Sequence, residues 1–314
     1  MTATLQEENI APAIRSQLDF LRELNDIKRL YAQNIGNESF ATWAFRRACA
    51  GLTDGQPLQA DIWCAAIVSA ARLGAITPEI LRDAGLSEIE RLRIFQQSIE
   101  THVSLSNDVR SALTKACCAF DGISSGNTSS PQDWVERLAA APRAGATCPG
   151  KPRIALEPPE MHSDHCMMVA VYGYLLADLF GAKREDAWLI GLCHHFHNAY
   201  LPDAGFTGEI MLGPHLHQVI EAFRLRGIHA LSPELQGRVI CLFEEIIGVS
   251  TPLAKTFHAA DTLDRVIQME HYERVAKFRV MHALTDLNLV HEGPAQKFQH
   301  DLLNSVGLMN EGKT

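Results

Sequence analysis

The sequence predicts an all-α fold. Apolar residues recur at steps of three and four residues through most of the chain, which is the spacing of one helical face. The clearest run lies near the N-terminus and comprises Ile14, Leu18, Leu21, Leu24, Ile27 and Leu30. No convincing segment alternates apolar and polar residues with the period of two that a half-buried strand requires. Helices packed on helices are therefore expected throughout.

The predicted helices can be placed in chain order. In the first part they lie at 12–35, 40–51, 59–73, 77–86, 87–102 and 107–119. The second part opens with a helix start at Ser130-Pro131-Gln132-Asp133 and continues through a Pro- and Gly-rich stretch, 142–159, that is expected to be irregular. Further helices are predicted at 163–181, 185–197, 213–226, 232–247, 252–279 and 294–306.

A linker rich in Ser, Gly and Asn divides these helices into two predicted domains. The linker spans 121–132, so the first domain covers 1–120 and the second covers 133–314. A weak internal sequence similarity relates residues 60–71 to residues 185–196. It fits either a decayed duplication or a coincidence between two amphipathic helices. The first domain shows no metal-binding pattern, and we expect it to cap the second domain or to pair subunits.

Composition excludes several classes of protein. The chain has 314 residues, 46% of them hydrophobic, and a net charge of −9. That acidic balance argues against a partner that is a nucleic-acid polymer, and it gives no reason to expect a membrane surface. Eight cysteines without CxxC spacing are typical of reduced, buried thiols. The N-terminus lacks the apolar stretch of a signal peptide, so a cytoplasmic location is expected.

Histidines gather in two short clusters of the second domain. His162 and His165 form the first cluster, and His194, His195 and His197 form the second. His165 and His194 each fall on the apolar face of a predicted helix, at ends that face each other if the helices are neighbours. A third helix carries a carboxylate, Asp261, within its apolar stripe, and a buried lone carboxylate is costly unless it is paired or binds metal. Two imidazoles and one carboxylate on three helices therefore predict a divalent metal ion.

Four segments in order resemble the HD-domain metal-dependent phosphohydrolases, in particular the 5′-deoxynucleotidase branch. They are RLAAAPRAG (137–145), PEMHSDHCMMVA (159–170), LCHHFHNAYLPD (192–203) and the run at 242–273 that contains Ala260-Asp261. The resemblance covers about 131–275 and implies an HD-type helical bundle. It also implies that His165, His194 and Asp261 hold the metal and that Arg143 reaches the substrate phosphate. The related nucleotidases form dimers, so a homodimer is expected.

Two replacements set this chain apart from the family pattern. The family's second-motif Asp is His195 here, and its catalytic Glu is Asn198. With His195 as a fourth ligand, the donor set favours Mn, Co, Fe or Zn over Mg²⁺. An amide cannot exchange a proton usefully near neutral pH, so proton transfer is assigned to His197 or Asp203.

Two further histidines lie where larger HD proteins carry ligands for a second metal. They are His215 and His217, and a solvated polar face is the favoured interpretation of both. Together with His195 and His197 they nevertheless motivate one alternative activity, a di-iron oxygenase.

Three functional hypotheses remain at this stage. The first is a metal-dependent phosphohydrolase, in which a metal-activated water attacks a nucleoside 5′-monophosphate or a similar small phosphoester that Arg143 holds. The second is the di-iron oxygenase of HD type. The third is a catalytically silent HD module that binds a ligand or serves as a scaffold, motivated by the loss of the Asp and the Glu.

Overall fold

The all-α prediction is confirmed. The computed structural model describes residues 2–31, 35–53, 55–120, 132–276, 279–286 and 288–309. It is 71% helical and contains no strand within those residues. The α-helices are α1 (Thr2–Asn25), α2 (Phe40–Thr53), α3 (Ala60–Leu73), α4 (Pro78–Asp83), α5 (Glu88–Glu100), α6 (Asn107–Ala116), α7 (Asp133–Ala140), α8 (His162–Phe180), α9 (Arg184–Cys193), α10 (Gly205–Leu212), α11 (Leu216–Ile228), α12 (Pro233–Glu245), α13 (Pro252–Ala276) and α14 (Gln296–Ser305).

The first helix differs from the prediction at both ends. It begins at Thr2, so Pro12 lies inside it, and it ends at Asn25 instead of continuing to residue 35. A 3₁₀ turn, Asp26–Arg29, follows, and Leu30 is extended. Apolar residues still recur through this turn because a 3₁₀ helix repeats every three residues. The pattern therefore conceals the change of structure.

Helix α8 is the centre of the fold. Its side chains are buried on every face, from His162 to Ala177, as expected of a helix that is apolar all round. It packs against α9 and α13 and against α1, α2 and α7. Any polar side chain on α8 therefore lies inside the protein.

Glycines let α9 approach α8 closely. A Cβ added to Gly191 of α9 would lie 2.4 Å from the Cα of Ala170, so no side chain fits there. On α8, Gly173 has the carbonyl oxygen of Ala187 3.0 Å from the corresponding position. The two helices thus pack backbone to backbone. This close packing brings His165, near the start of α8, next to His194, which follows the last residue of α9.

The first 120 residues pack directly on this centre. Apolar side chains of α1, α2 and α3 belong to the same buried cluster as those of α8. The hydroxyl of Tyr172 on α8 donates a hydrogen bond to the carbonyl oxygen of Leu21, and that of Tyr174 donates to Asp61. The predicted linker at 121–132 lies outside the described residues except for Gln132.

The stretch 142–159 contains no helix, as predicted. Isolated bridges pair Pro142 with Met161 and Ala146 with Ile154. Gly145 has a φ of +72°, and a Cβ there would lie 2.2 Å from the carbonyl oxygen of Ile154, so only glycine fits. This folding holds the loop against the start of α8. None of the described helices is long and apolar enough to cross a membrane.

Candidate metal centre

The three predicted ligand side chains meet where α8, α9 and α13 come together. The Nε2 atoms of His165 and His194 lie 3.1 Å apart. Asp261 places Oδ1 3.2 Å from Nε2 of His165. His165 is fully buried and His194 nearly so. Three electron-pair donors from three helices thus face one another in the interior.

Hydrogen bonds fix which nitrogen of each imidazole carries the proton. Nδ1 of His165 donates to Oδ2 of Asp264 at 2.7 Å, and Nδ1 of His194 donates to the carbonyl oxygen of Gly191 at 2.7 Å. Both partners are acceptors, so in the neutral rings Nε2 carries a lone pair. The two lone pairs point at each other, an arrangement that repels unless a proton or a metal ion lies between them.

A proton is the less favourable of those two occupants. Burial, followed by the positive charge of Arg143, lowers the pKa of His165 to about 3. Burial, followed by the neighbouring His165, lowers the pKa of His194 to about 3. Burial alone would raise the pKa of Asp261, but His165 and Arg265 hold it well below its ordinary value. Two neutral imidazoles and an ionised carboxylate are the protonation states that bind a metal.

His195 adds a third imidazole to this group. Its ligand nitrogen and those of His165 and His194 all lie within 4.8 Å of one another. Its Nδ1 donates to Oδ1 of Asn198 at 2.7 Å, and the Asn198 amide in turn donates to the carbonyl oxygen of Leu201. Burial lowers the pKa of His195 well below its usual value. Asn198 therefore orients His195 and leaves its Nε2 available.

A layer of charged groups surrounds the ligands. Asp264, which accepts from His165, also accepts from Asn25 at 3.0 Å and from the Lys28 ammonium at 2.8 Å. Lys28 also contacts Glu160. Asp264 lies one turn after Asp261 on α13, and Glu160 lies in the sequence motif at 159–170. Spacing along the chain gave no indication of Lys28 or Asn25, because their contacts cross from the N-terminal region to α13.

Arg143 and Asp203 lie beside the candidate metal ligands on the loop side. The guanidinium of Arg143 is 3.6 Å from Glu160, and its Nη1 is buried without a protein partner. Asp203 accepts backbone N–H groups of Ala144 and Gly205, each at 2.9 Å. Burial would raise the pKa of Asp203, but the Ala144 N–H and Arg143 keep it below its ordinary value.

Sequence reasoning assigned no role to His162, which the structure places next to this acid. Its Nδ1 donates to the carbonyl oxygen of Ala141 at 2.9 Å, while its Nε2 is buried without a partner, 3.8 Å from Oδ2 of Asp203. Its ring centroid lies 5.0 Å from that of His195. Burial, followed by Arg143, lowers its pKa to about 4. The signal for His162 was its place in the first histidine cluster.

Of the three other histidines to which the sequence analysis gave a role, one lies at the site and two do not. The His197 ring centroid is 5.6 Å from that of His195, and its Nδ1 is buried without a partner. Burial lowers the pKa of His197 to about 3. His215 and His217 are exposed, as the favoured interpretation held, so they lend no support to a second metal.

A cavity of about 100 Å³ opens next to the ligands. Its polar lining includes Arg143, Arg265, Glu160 and Asp203. Arg265 lies between the cavity and the candidate metal ligands, because its Nη1 is 3.7 Å from Oδ2 of Asp261. Two guanidinium groups thus face a space adjacent to the imidazole cluster.

Comparison with known proteins adds no relative. No protein-family model matches the chain, and neither a curated protein nor a solved structure is significantly similar to it.

Proposed function

We propose that this protein is a metal-dependent phosphohydrolase of HD type that acts on a nucleoside 5′-monophosphate or a similar small phosphoester. The observation that carries the proposal is the pair of imidazole lone pairs of His165 and His194, which face each other across 3.1 Å beside a carboxylate. The resemblance of the surrounding sequence motifs to those of HD phosphohydrolases supports the same proposed activity.

The side chains present fit a divalent cation. His165, His194 and Asp261 would hold it, with His195 as a fourth donor whose nitrogen lies in the same cluster. Imidazole nitrogens with one carboxylate suit Mn, Co, Fe or Zn better than Mg²⁺. A cation bound there would supply Lewis-acid chemistry to a phosphoester.

Arg143 is the group proposed to bind the substrate phosphate. Its Nη1 is buried with no partner, although such groups are almost always satisfied in folded proteins. Arg143 lines the adjacent cavity, where its guanidinium would donate to a phosphate oxygen, and Arg265, which lines the same cavity, adds a second positive charge. A cavity needs about 10–15 Å³ of such space to admit one water molecule, so about 100 Å³ admits several and has room for a phosphate group.

Proton transfer is proposed to involve the groups on the loop side. Asp203 is held ionised by its backbone donors, and it faces the free Nε2 of His162 across 3.8 Å. His197 is neutral and presents a buried nitrogen to the same region.

Phosphate release from a broad phosphoester panel tests the proposal. The full chain would be stripped with a chelator, loaded separately with Mn²⁺, Co²⁺ or Fe²⁺, and given nucleoside 5′-monophosphates and simple phosphoesters. We expect metal-dependent release that His194→Ala abolishes and that His217→Ala, a change on the exposed surface, leaves intact. No release from any compound with any metal would overturn the proposal.

A silent ligand-binding module is the second candidate. The observation in its favour is Asn198, whose amide stands where the family has its catalytic Glu and is committed to His195. This candidate predicts that His194→Ala leaves the cellular function intact in a protein that still folds. A loss of function with the fold preserved would count against it.

A further inference from the structure

Lys28 is a buried cation that belongs to the N-terminal region and not to the helices that carry the ligands. It lies in the 3₁₀ turn Asp26–Arg29, and its side chain is 2% exposed. Its ammonium contacts both oxygens of Asp264, at 2.7 and 2.8 Å, and also Glu160. Burying an ammonium is costly unless charged partners compensate it. The buried Lys28 side chain therefore depends on its carboxylate partners.

Both carboxylates that hold Lys28 also touch the proposed metal centre and substrate pocket. Asp264 accepts the Nδ1 proton of His165, which is what leaves Nε2 of that ring free to bind a metal. Glu160 lies 3.6 Å from the guanidinium of Arg143. A salt bridge that served only to stabilise the fold would not need carboxylates that also contact His165 and Arg143.

The donors around Asp264 fix the orientation of its carboxylate. Oδ1 accepts from the Asn25 amide at 3.0 Å, while Oδ2 accepts from His165 and Lys28. Two of these three donors come from the N-terminal region. If the ammonium were removed, Asp264 would lose a charged donor and would be free to turn away from His165.

We propose that Lys28 is a positioning residue of the metal centre: through Asp264 it holds His165 in the orientation and tautomer that present Nε2 to the metal. This inference rests on the metal site of the proposed function. It gives the N-terminal region a part in metal binding in addition to packing.

Calorimetric titration of Co²⁺ into the chelator-stripped full chain tests the inference, and the visible absorption of bound Co²⁺ provides a second readout. Groups that orient a metal ligand typically contribute 10- to 100-fold to affinity, and we expect Lys28→Met to weaken Co²⁺ binding about tenfold. Arg22→Met is the control, because Arg22 also makes an ion pair from the N-terminal region to α13, with Glu270, at a more exposed position. It should bind Co²⁺ as the wild type does.

A second pair of variants separates positioning from folding. Asp264→Asn keeps the shape of the side chain but removes its charge, so Lys28→Met should weaken Co²⁺ binding less than twofold further in that background. This comparison also serves if the single variant does not fold, because the double variant leaves no unpaired buried charge.

Three results would overturn the inference. One is a folded Lys28→Met protein that binds Co²⁺ within twofold of the wild type. Another is a Lys28→Met effect of more than twofold in the Asp264→Asn background. Wild-type protein that binds no Co²⁺ would overturn the metal site as well, which distinguishes a failure of the proposed function from a failure of this inference alone.

Discussion

Single side chains carry the chemistry of this site, and the sequence identified only part of them. The apolar faces of the helices predicted that His165, His194 and Asp261 point inward, and the structure brings them together. His162 and Lys28 were not predicted, because their roles depend on contacts that no spacing along the chain records. The sequence analysis interpreted Asn198 as the loss of the family's catalytic Glu. In the structure its amide oxygen accepts a hydrogen bond from His195 and orients that ring.

Removing the unpaired guanidinium is expected to weaken catalysis strongly. Arg143→Met keeps much of the volume but removes a guanidinium that lines the cavity, and losing one such electrostatic contact typically costs about 10²–10³-fold in rate. If the chain has the proposed phosphohydrolase activity, kcat/KM of the metal-loaded protein should fall by about 100-fold. Arg137→Met, on the exposed face of α7, is the control and should change kcat/KM little. A fall of less than threefold for Arg143→Met would remove Arg143 from the substrate site.

The lowered pKa values of the buried histidines predict that the metal-free chain loses stability in acid. Folding moves the pKa of His165 and His194 from 6.5 to about 3, so the unfolded chain binds more protons than the folded chain between those values. The free energy of unfolding must therefore fall as pH is lowered from about 6.5 towards 4.

Urea unfolding at a series of pH values, in the presence of a chelator, would measure this dependence. His194→Gln should reduce the slope by up to about one proton, since it removes one titrating group. His217→Gln, at an exposed position, should leave the slope unchanged. A slope that His194→Gln does not alter would show that His194 is not held neutral in the folded chain.

The positions of the helices were the most predictable feature of this structure. The close contacts between neighbouring helices were the least predictable. Apolar periodicity located α8, α9 and α13 to within a few residues of their observed bounds. It did not predict α10, which buries none of its residues, or the 3₁₀ turn Asp26–Arg29 that positions Lys28. A periodic pattern reports which face is buried, but it does not report how near the neighbouring helix comes.

Gly191 tests how far the metal centre depends on the close contact between α8 and α9. In Gly191→Ala the new Cβ would meet the backbone of Ala170 at 2.4 Å, so the helices must separate. Overpacking of this kind costs about 1–3 kcal/mol. We expect the free energy of unfolding to fall by that amount and Co²⁺ affinity to fall with it, because His165 and His194 move apart.

A glycine elsewhere provides the matched control for this substitution. Gly237 lies on the exposed side of α12 and has no atom within 4 Å of an added Cβ. Alanine is the better helix former, so Gly237→Ala should stabilise the chain by about 0.5–1 kcal/mol. Equal stability changes for the two variants would contradict the close-packing argument.

At the scale of the whole molecule, the two sequence-defined parts share one apolar interior. The composition of 121–132 predicted a boundary, and composition is a local property of the chain. The packing of α1, α2 and α3 on α8 is not local, and it surrounds the helix that carries His165. The N-terminal region also supplies Lys28 and Asn25 to the charged layer around the ligands.

A fragment that begins at residue 133 is therefore expected not to fold on its own. Without the N-terminal helices, α8 would expose apolar side chains that are buried in the full chain, and Asp264 would lose Lys28 and Asn25. Such a fragment should bind a hydrophobic dye, lack a cooperative thermal transition and bind Co²⁺ far more weakly than the full chain. Co-expression with residues 1–120 should restore all three properties, because the lost contacts are noncovalent. Cooperative unfolding of the isolated fragment, together with Co²⁺ binding equal to that of the full chain, would instead establish 133–314 as an independent domain and reduce the N-terminal region to a cap.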